Sequence, residues 1–150
     1  MDEKLIDVGT ERALLAGLLQ HGPDGYITVA DIINQETFGV VNNQILFKCI
    51  ELIVNNNQSI DIPSILSSAE SLGFSEIINT TTELKYIKSL FDFPVNRDNI
   101  FNFAIQAKKF EFARKIKKLT SKIHKDIEDI NGTETINEII QILENPVTDG

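Results

Sequence analysis

The chain has 150 residues, 42% of them hydrophobic and 24% charged, with a formal net charge of −8. These are ordinary values for one globular domain, so wholesale disorder is excluded. No apolar stretch approaches the roughly 18 residues of a membrane span, and the acidic start MDEKLIDVGTE is not a signal peptide. Cys49 is the only cysteine and His21 and His124 the only histidines, too few for an ordinary zinc site and unable to form an internal disulfide. A reducing cytoplasm is the expected location, with no membrane partner.

In chain order, the apolar spacing is helical almost throughout. Leu14, Leu15, Leu18 and Leu19 share one face of a first helix, with Thr10 as its expected N-cap and Glu11 in its first turn. His21-Gly22-Pro23 is expected to end it. A short second helix is expected to begin after Thr28 and run through Ile33, with Phe38 packed behind it. A third is expected over about Asn42–Val54, stopped by Asn55-Asn56-Asn57. Asp61-Ile62-Pro63 reads as the start of a fourth, which ends near Gly73. A fifth covers Thr82–Phe91 and is closed off by Pro94. Tyr26–Ala30 is the one β-like run, and it is short.

The longest helix is expected from about Arg97 to Asp129. Ile100, Phe103, Ala104, Ala107, Phe110, Ile116, Leu119, Ile123, Ile127 and Ile130 form its main apolar stripe. Phe101, Ile105 and Phe112 make a second, partial stripe, which calls for a second neighbour besides the core. Asn131-Gly132 signals a tight turn, and Thr133 is the expected cap of a last helix, Glu134–Glu144, with Ile136, Ile139, Ile140 and Leu143 on one face. So short a connection predicts an αα-hairpin. The fold class is all-α: a flexible start (1–9), a helical head (10–96), a long-helix/short-helix hairpin (97–145) and the beginning of a linker (146–150).

Enzyme chemistry lacks its parts. There is no GxxxxGK[ST] phosphate loop, no GxGxxG and no HExxH. Glu36 and Glu51 fall in separate elements, and Cys49 sits on an apolar face with no cation beside it in sequence, as a buried structural thiol would. Charge is unevenly spread. Residues 108–125 hold eight of the 14 Lys and Arg and only one acid, Glu111, so that segment is +7 and the remainder −15. Lys108, Lys115, Lys118, Lys122 and Lys125 share one side of the helix and could meet phosphate or an acidic partner; a solvated face is the plainer reading. No aromatic interleaves them, so a stacking platform for single strands is not indicated.

Taken in order, these features resemble the N-terminal domain of DnaB-type replicative DNA helicases. Thr10–Leu19 resembles that family's opening E-x-A-L-L-G-x-L-L helix. Glu36-Thr37-Phe38 followed by Ile45-Leu46-Phe47 and Ile50, the turn Ser59-Ile60-Asp61-Ile62, then Leu84, Tyr86 and Ile87, and Asn99-Ile100 before Phe110 fall in matching order. Glu134–Glu144 stands where the family has its last short helix. Gly39, Asn42-Asn43, Asn79-Thr80 and Phe91–Val95 depart from the family pattern and mark a divergent branch, phage or bacterial.

The resemblance implies an N-terminal collar domain of a hexameric helicase that pairs through its hairpin and docks primase and helicase loader in DNA replication. Self-association is then expected through Phe101, Ile105, Phe112, Ile136, Ile140 and Leu143. The fragment itself would be no enzyme and carry no cofactor; ATP, Mg2+ and most DNA contact would belong to a motor domain beyond Gly150. The alternatives are a stand-alone protein of the same fold that modulates a host helicase, and a nucleic-acid-binding module using the 108–125 face.

Overall fold

The computed structural model describes residues 5–144, so the expected linker at 146–150 and the first four residues of the expected flexible start lie outside it. Helix α1 is Val8–Ile27. It begins three residues earlier than Thr10 would allow, because Asp7 is the cap and its carboxylate accepts the Thr10 N–H at 3.1 Å. These hydrogen bonds hold the Asp7 carboxyl below its ordinary value. At Gly22 the backbone turns to φ 59°, ψ −138°, and Pro23 follows, so α1 is kinked where the sequence predicted a stop.

The helix expected after Thr28 and through Ile33 is absent. Residues 28–32 are turns, closed by Val29 N–H on the Tyr26 carbonyl and Ile33 N–H on the Val29 carbonyl. So short a segment cannot offset the cost of helix nucleation, and burial of Val29, Ile33 and Phe38 fixes it instead. A 3-10 turn, Gln35–Thr37, follows with Asn34 as its cap. Helices α2 (Val41–Asn55), α3 (Ile62–Leu72), α4 (Ser75–Ile78) and α5 (Thr81–Asp92) complete the head. The α3 start is a capping box: Asp61 accepts from Ser64 N–H, and the Ser64 hydroxyl oxygen accepts from Asp61 N–H.

Helix α6 runs Arg97–Glu128 and α7 Ile136–Glu144. Thr135, not Thr133, caps α7 by accepting the Glu138 N–H at 3.1 Å. The two residues before it are used up in the turn. Glu134 folds back to accept the Asn131 and Gly132 N–H groups, and Asn131 accepts from Thr133. Among the described residues there is no strand. By its contacts the chain forms two compact units, residues 1–111 and 112–150.

The core of the first unit is built on the leucine face of α1, with Phe38 and Phe47 fully buried and their rings 5.2 Å apart. Ile100, Ala104 and Ala107 bring the first half of α6 into it. At the crossing with α1, a Cβ on Gly17 would sit 2.8 Å from Ile100 Cγ1, so glycine there lets the two helices approach. The link between α5 and α6 is clamped to α1. Gln20 Nε2 donates to the Leu90 and Phe93 carbonyls, Gln20 Oε1 accepts the Val95 N–H, and His21 Nε2 meets the Val95 carbonyl at 2.7 Å.

One buried acid ties the helices together. Glu11, 2% exposed, accepts from the N–H groups of Gly39 and Val40 and from Asn43 Nδ2. Helix α2 has no side-chain cap of its own, so a carboxylate from α1 serves its N-terminus. Asn43 Oδ1 in turn accepts the Tyr86 hydroxyl of α5 at 2.8 Å, and the Arg12 guanidinium lies 5.6 Å from the centre of the Tyr86 ring.

Glu11→Ala removes the acceptor of three donors, the buried Asn43 amide and the part-buried Gly39 and Val40 N–H groups. It is expected to lower the unfolding free energy by about 3 kcal/mol, read as a lower urea midpoint at unchanged slope. Gly17→Ala is expected to cost about 1–3 kcal/mol by forcing Ile100 out of its rotamer, read in the same assay.

Candidate interaction surfaces

The sequence-predicted residues fall on three kinds of surface. On α7 no residue is buried. Ile136, Ile139, Ile140 and Leu143 follow i, i+3, i+4, i+7 and therefore share one face; Ile136 is 77% exposed and Leu143 67%. On α6, Phe101 and Phe112 are exposed and Ile105 is half-buried. Phe101 and Ile105 belong to the first unit, Phe112 and all of α7 to the second.

Sequence reasoning missed two members of this exposed set. Ile116 and Ile127 were expected on the core stripe of α6, yet they are 59% and 52% exposed. At about 100° per residue they lie roughly 160–180° around the helix from Ile100, on the side that carries Phe101 and Phe112, whereas Ala104 and Ala107 lie within about 40° of Ile100 and are buried with it. The main stripe as read from the sequence therefore passes from one side of α6 to the other between Phe110 and Ile116. The angular positions themselves were the available signal, since Ile116 and Ile127 fall within about 80° of Phe101.

The basic residues differ among themselves. Lys108 lies 3.0 Å from Glu111, an acid only 1% exposed that also accepts the Thr37 hydroxyl at 2.8 Å. That lysine is engaged in holding the head together. Lys122 pairs with Asp126 at 3.3 Å on the surface, and Lys115, Lys118 and Lys125 are exposed. His124 is likewise at the surface, against Glu128.

Glu36 and Glu51, which the sequence placed apart, do line one shallow polar depression, together with Asn34, Gln35 and Lys48. Glu51 there accepts the Tyr26 hydroxyl and lies 4.0 Å from Lys48. No group of three His, Cys, Asp or Glu side chains among the described residues could hold a metal ion. Burial pushes the Cys49 thiol up to about 11, so it is protonated at neutral pH and a poor nucleophile. No helix among the described residues is long and apolar enough to cross a membrane.

Against known proteins, the family model described as "DnaB-like helicase N terminal domain" matches residues 3–109. The chain belongs to that family. Among solved structures it is similar to the crystal structure of the N-terminal domain of DnaB helicase from Mycobacterium tuberculosis. The TM-score is 0.80 at 14% sequence identity, over 97% of this chain and 98% of that one. At that identity the likeness establishes the all-α fold. A comparison with curated proteins gives no match.

Both tyrosines of the chain report on the head. Burial is the main cause that raises Tyr86 to about 12, and burial followed by the Glu51 charge raises Tyr26 to about 12. Because the folded values lie above the unfolded value of 10.0, their stabilising effect is complete below pH 10 and is lost as pH rises toward 12. The folded chain is expected to show no tyrosinate absorbance step near pH 10. A full step there in protein still helical by circular dichroism would mean that both hydroxyls are exposed.

Proposed function

We propose that this chain is the collar and interaction domain of a hexameric replicative helicase. In this reading the helical head (10–96) and the hairpin (97–145) set the geometry of the ring. A linker from residue 146 leads to an ATP- and Mg2+-dependent motor in the same polypeptide, which makes the main contact with DNA. The domain associates with a second copy, and the resulting collar docks primase and helicase loader, so that priming is coupled to unwinding. The fragment performs no catalysis.

One observation carries the reading beyond family membership: α7 buries nothing, and presents four aliphatic side chains on one face. Each is worth about 1.5–3 kcal/mol if covered. Soluble proteins seldom leave a contiguous face of this kind open. The matching surfaces are the exposed apolar side chains of α6, among them Phe101, Phe112, Ile116 and Ile127, with half-buried Ile105 at their edge. A second copy supplies both halves, as a two-fold interface requires.

Ile136→Glu with Ile140→Glu is the direct test, because neither residue contributes to a core. The unaltered chain is expected to sediment as a dimer at tens of micromolar. The double variant is expected to sediment as a monomer with unchanged helicity. Ile105→Glu tests the α6 side of the same seam. A double variant that remains dimeric would remove α7 from the interface. A wild-type chain that is monomeric at all concentrations would overturn self-association itself.

A further inference from the structure

We infer that the distal half of α6 carries a second, separate binding face, a basic stripe that takes the phosphate backbone of duplex nucleic acid without reading its sequence. Residues 112–125 contain Arg114, Lys115, Lys117, Lys118, Lys122 and Lys125 and no acid at all. All lie within one continuous helix. At about 100° per residue, Lys118 and Lys125 share a line, and Lys115 and Lys122 lie within about 60° of it. Phe112, Ile116, Leu119 and Ile123 point roughly 100–160° away. The charges therefore sit on the side of α6 away from the apolar seam. A pairing that covers Phe112 and Ile116 leaves the stripe facing outward.

Its state fits a polyanion. Lys118 and Lys125 are exposed, and no acid among the described residues is within ion-pair distance of either. The Lys122–Asp126 pair is a surface contact, of a kind worth little, which phosphate can displace. The stripe spans about 17 Å along the helix, and a helix about 10–12 Å across fits against a duplex groove. The side chains that could stack on bases, Phe112 above all, are on the other face, which favours a duplex over a single strand. The net charge of −8 does not oppose local contact, because charges act over only about 10 Å at 0.1 M salt.

The test is fluorescence anisotropy of a labelled 20-base-pair duplex of arbitrary sequence, titrated with the whole chain at several salt concentrations. Binding is expected with Kd of about 10⁻⁴ to 10⁻⁶ M near physiological salt, weakening steeply as salt rises. The combined change Lys118→Gln, Lys122→Gln, Lys125→Gln should weaken it about tenfold or more and flatten the log–log salt slope by about 2–3. The corresponding Arg triple variant keeps the charge and should bind like the original, and Lys85→Gln with Lys88→Gln on α5 should change nothing. Circular dichroism confirms that each variant is helical.

No binding at 50 mM salt, or binding that the Gln triple variant leaves unchanged, overturns the inference. So does a Gln triple variant whose effect is on oligomer size, since the stripe would then serve an acidic surface of another copy. The result is separable from the seam proposed above. Ile136→Glu with Ile140→Glu tests the seam and leaves every basic residue in place.

Discussion

A carboxylate shut away from water must be met by donors, and Glu11 is met by three from a segment about thirty residues further on. That demand fixes much of the head. The Gly39 and Val40 N–H groups can reach one carboxylate only if α2 starts beside α1. Asn43 can serve Glu11 with its amide N–H and Tyr86 with its carbonyl only if α5 lies on the same side. Each bond polarises the next, so the three helices are held by one connected chain of hydrogen bonds instead of three separate ones. The aliphatic core around Leu14, Leu18, Phe38 and Phe47 supplies most of the driving force but little direction. The buried acid supplies register. Glu111, with Lys108 and Thr37, does the same for the near half of α6.

Much of this was legible in the sequence. Helical periodicity placed α2, α3, α5 and α6 to within a residue or two, and Asp61-Ile62-Pro63 announced its capping box because each residue there is chosen for a local reason. The misreadings have a common physical source. Thr10, Thr133 and Thr28 are all competent caps, and in each case a neighbour settled the matter: Asp7 outcompeted Thr10, Glu134 turned away from its helix, and the segment after Thr28 was too short to propagate. Glu11 was read as an ordinary first-turn acid. Nothing in its own neighbourhood says that its clients are Gly39, Val40 and Asn43, since that is a property of tertiary packing.

The candidate surfaces were legible in kind and blurred in position. The α7 face was evident from four aliphatic residues at helical spacing, and the structure leaves all four outside any core. On α6 the sequence reading put Ile116 and Ile127 on the core stripe, although helical geometry sets them with Phe101 and Phe112 and both are exposed. The family match covers residues 3–109, with most of the lysine-rich stretch and all of α7 beyond it, whereas the likeness to the solved domain extends over 97% of the chain.

The Gln20 clamp has a consequence for how the protein is made. Gln20 and His21 hold groups between Leu90 and Val95, and Gly17 waits for Ile100. On a ribosome adding about 5–20 residues per second, α1 is therefore synthesised roughly 4–15 seconds before the residues that close over it. During that interval the part of α1 that Val95 and Ile100 will cover stays open. The head is committed late in translation, and a stalled or truncated product ending before about residue 100 would leave part of the leucine-rich helix α1 uncovered. Such a fragment is a natural client for chaperones and proteases, which makes the clamp a checkpoint between partial and finished synthesis.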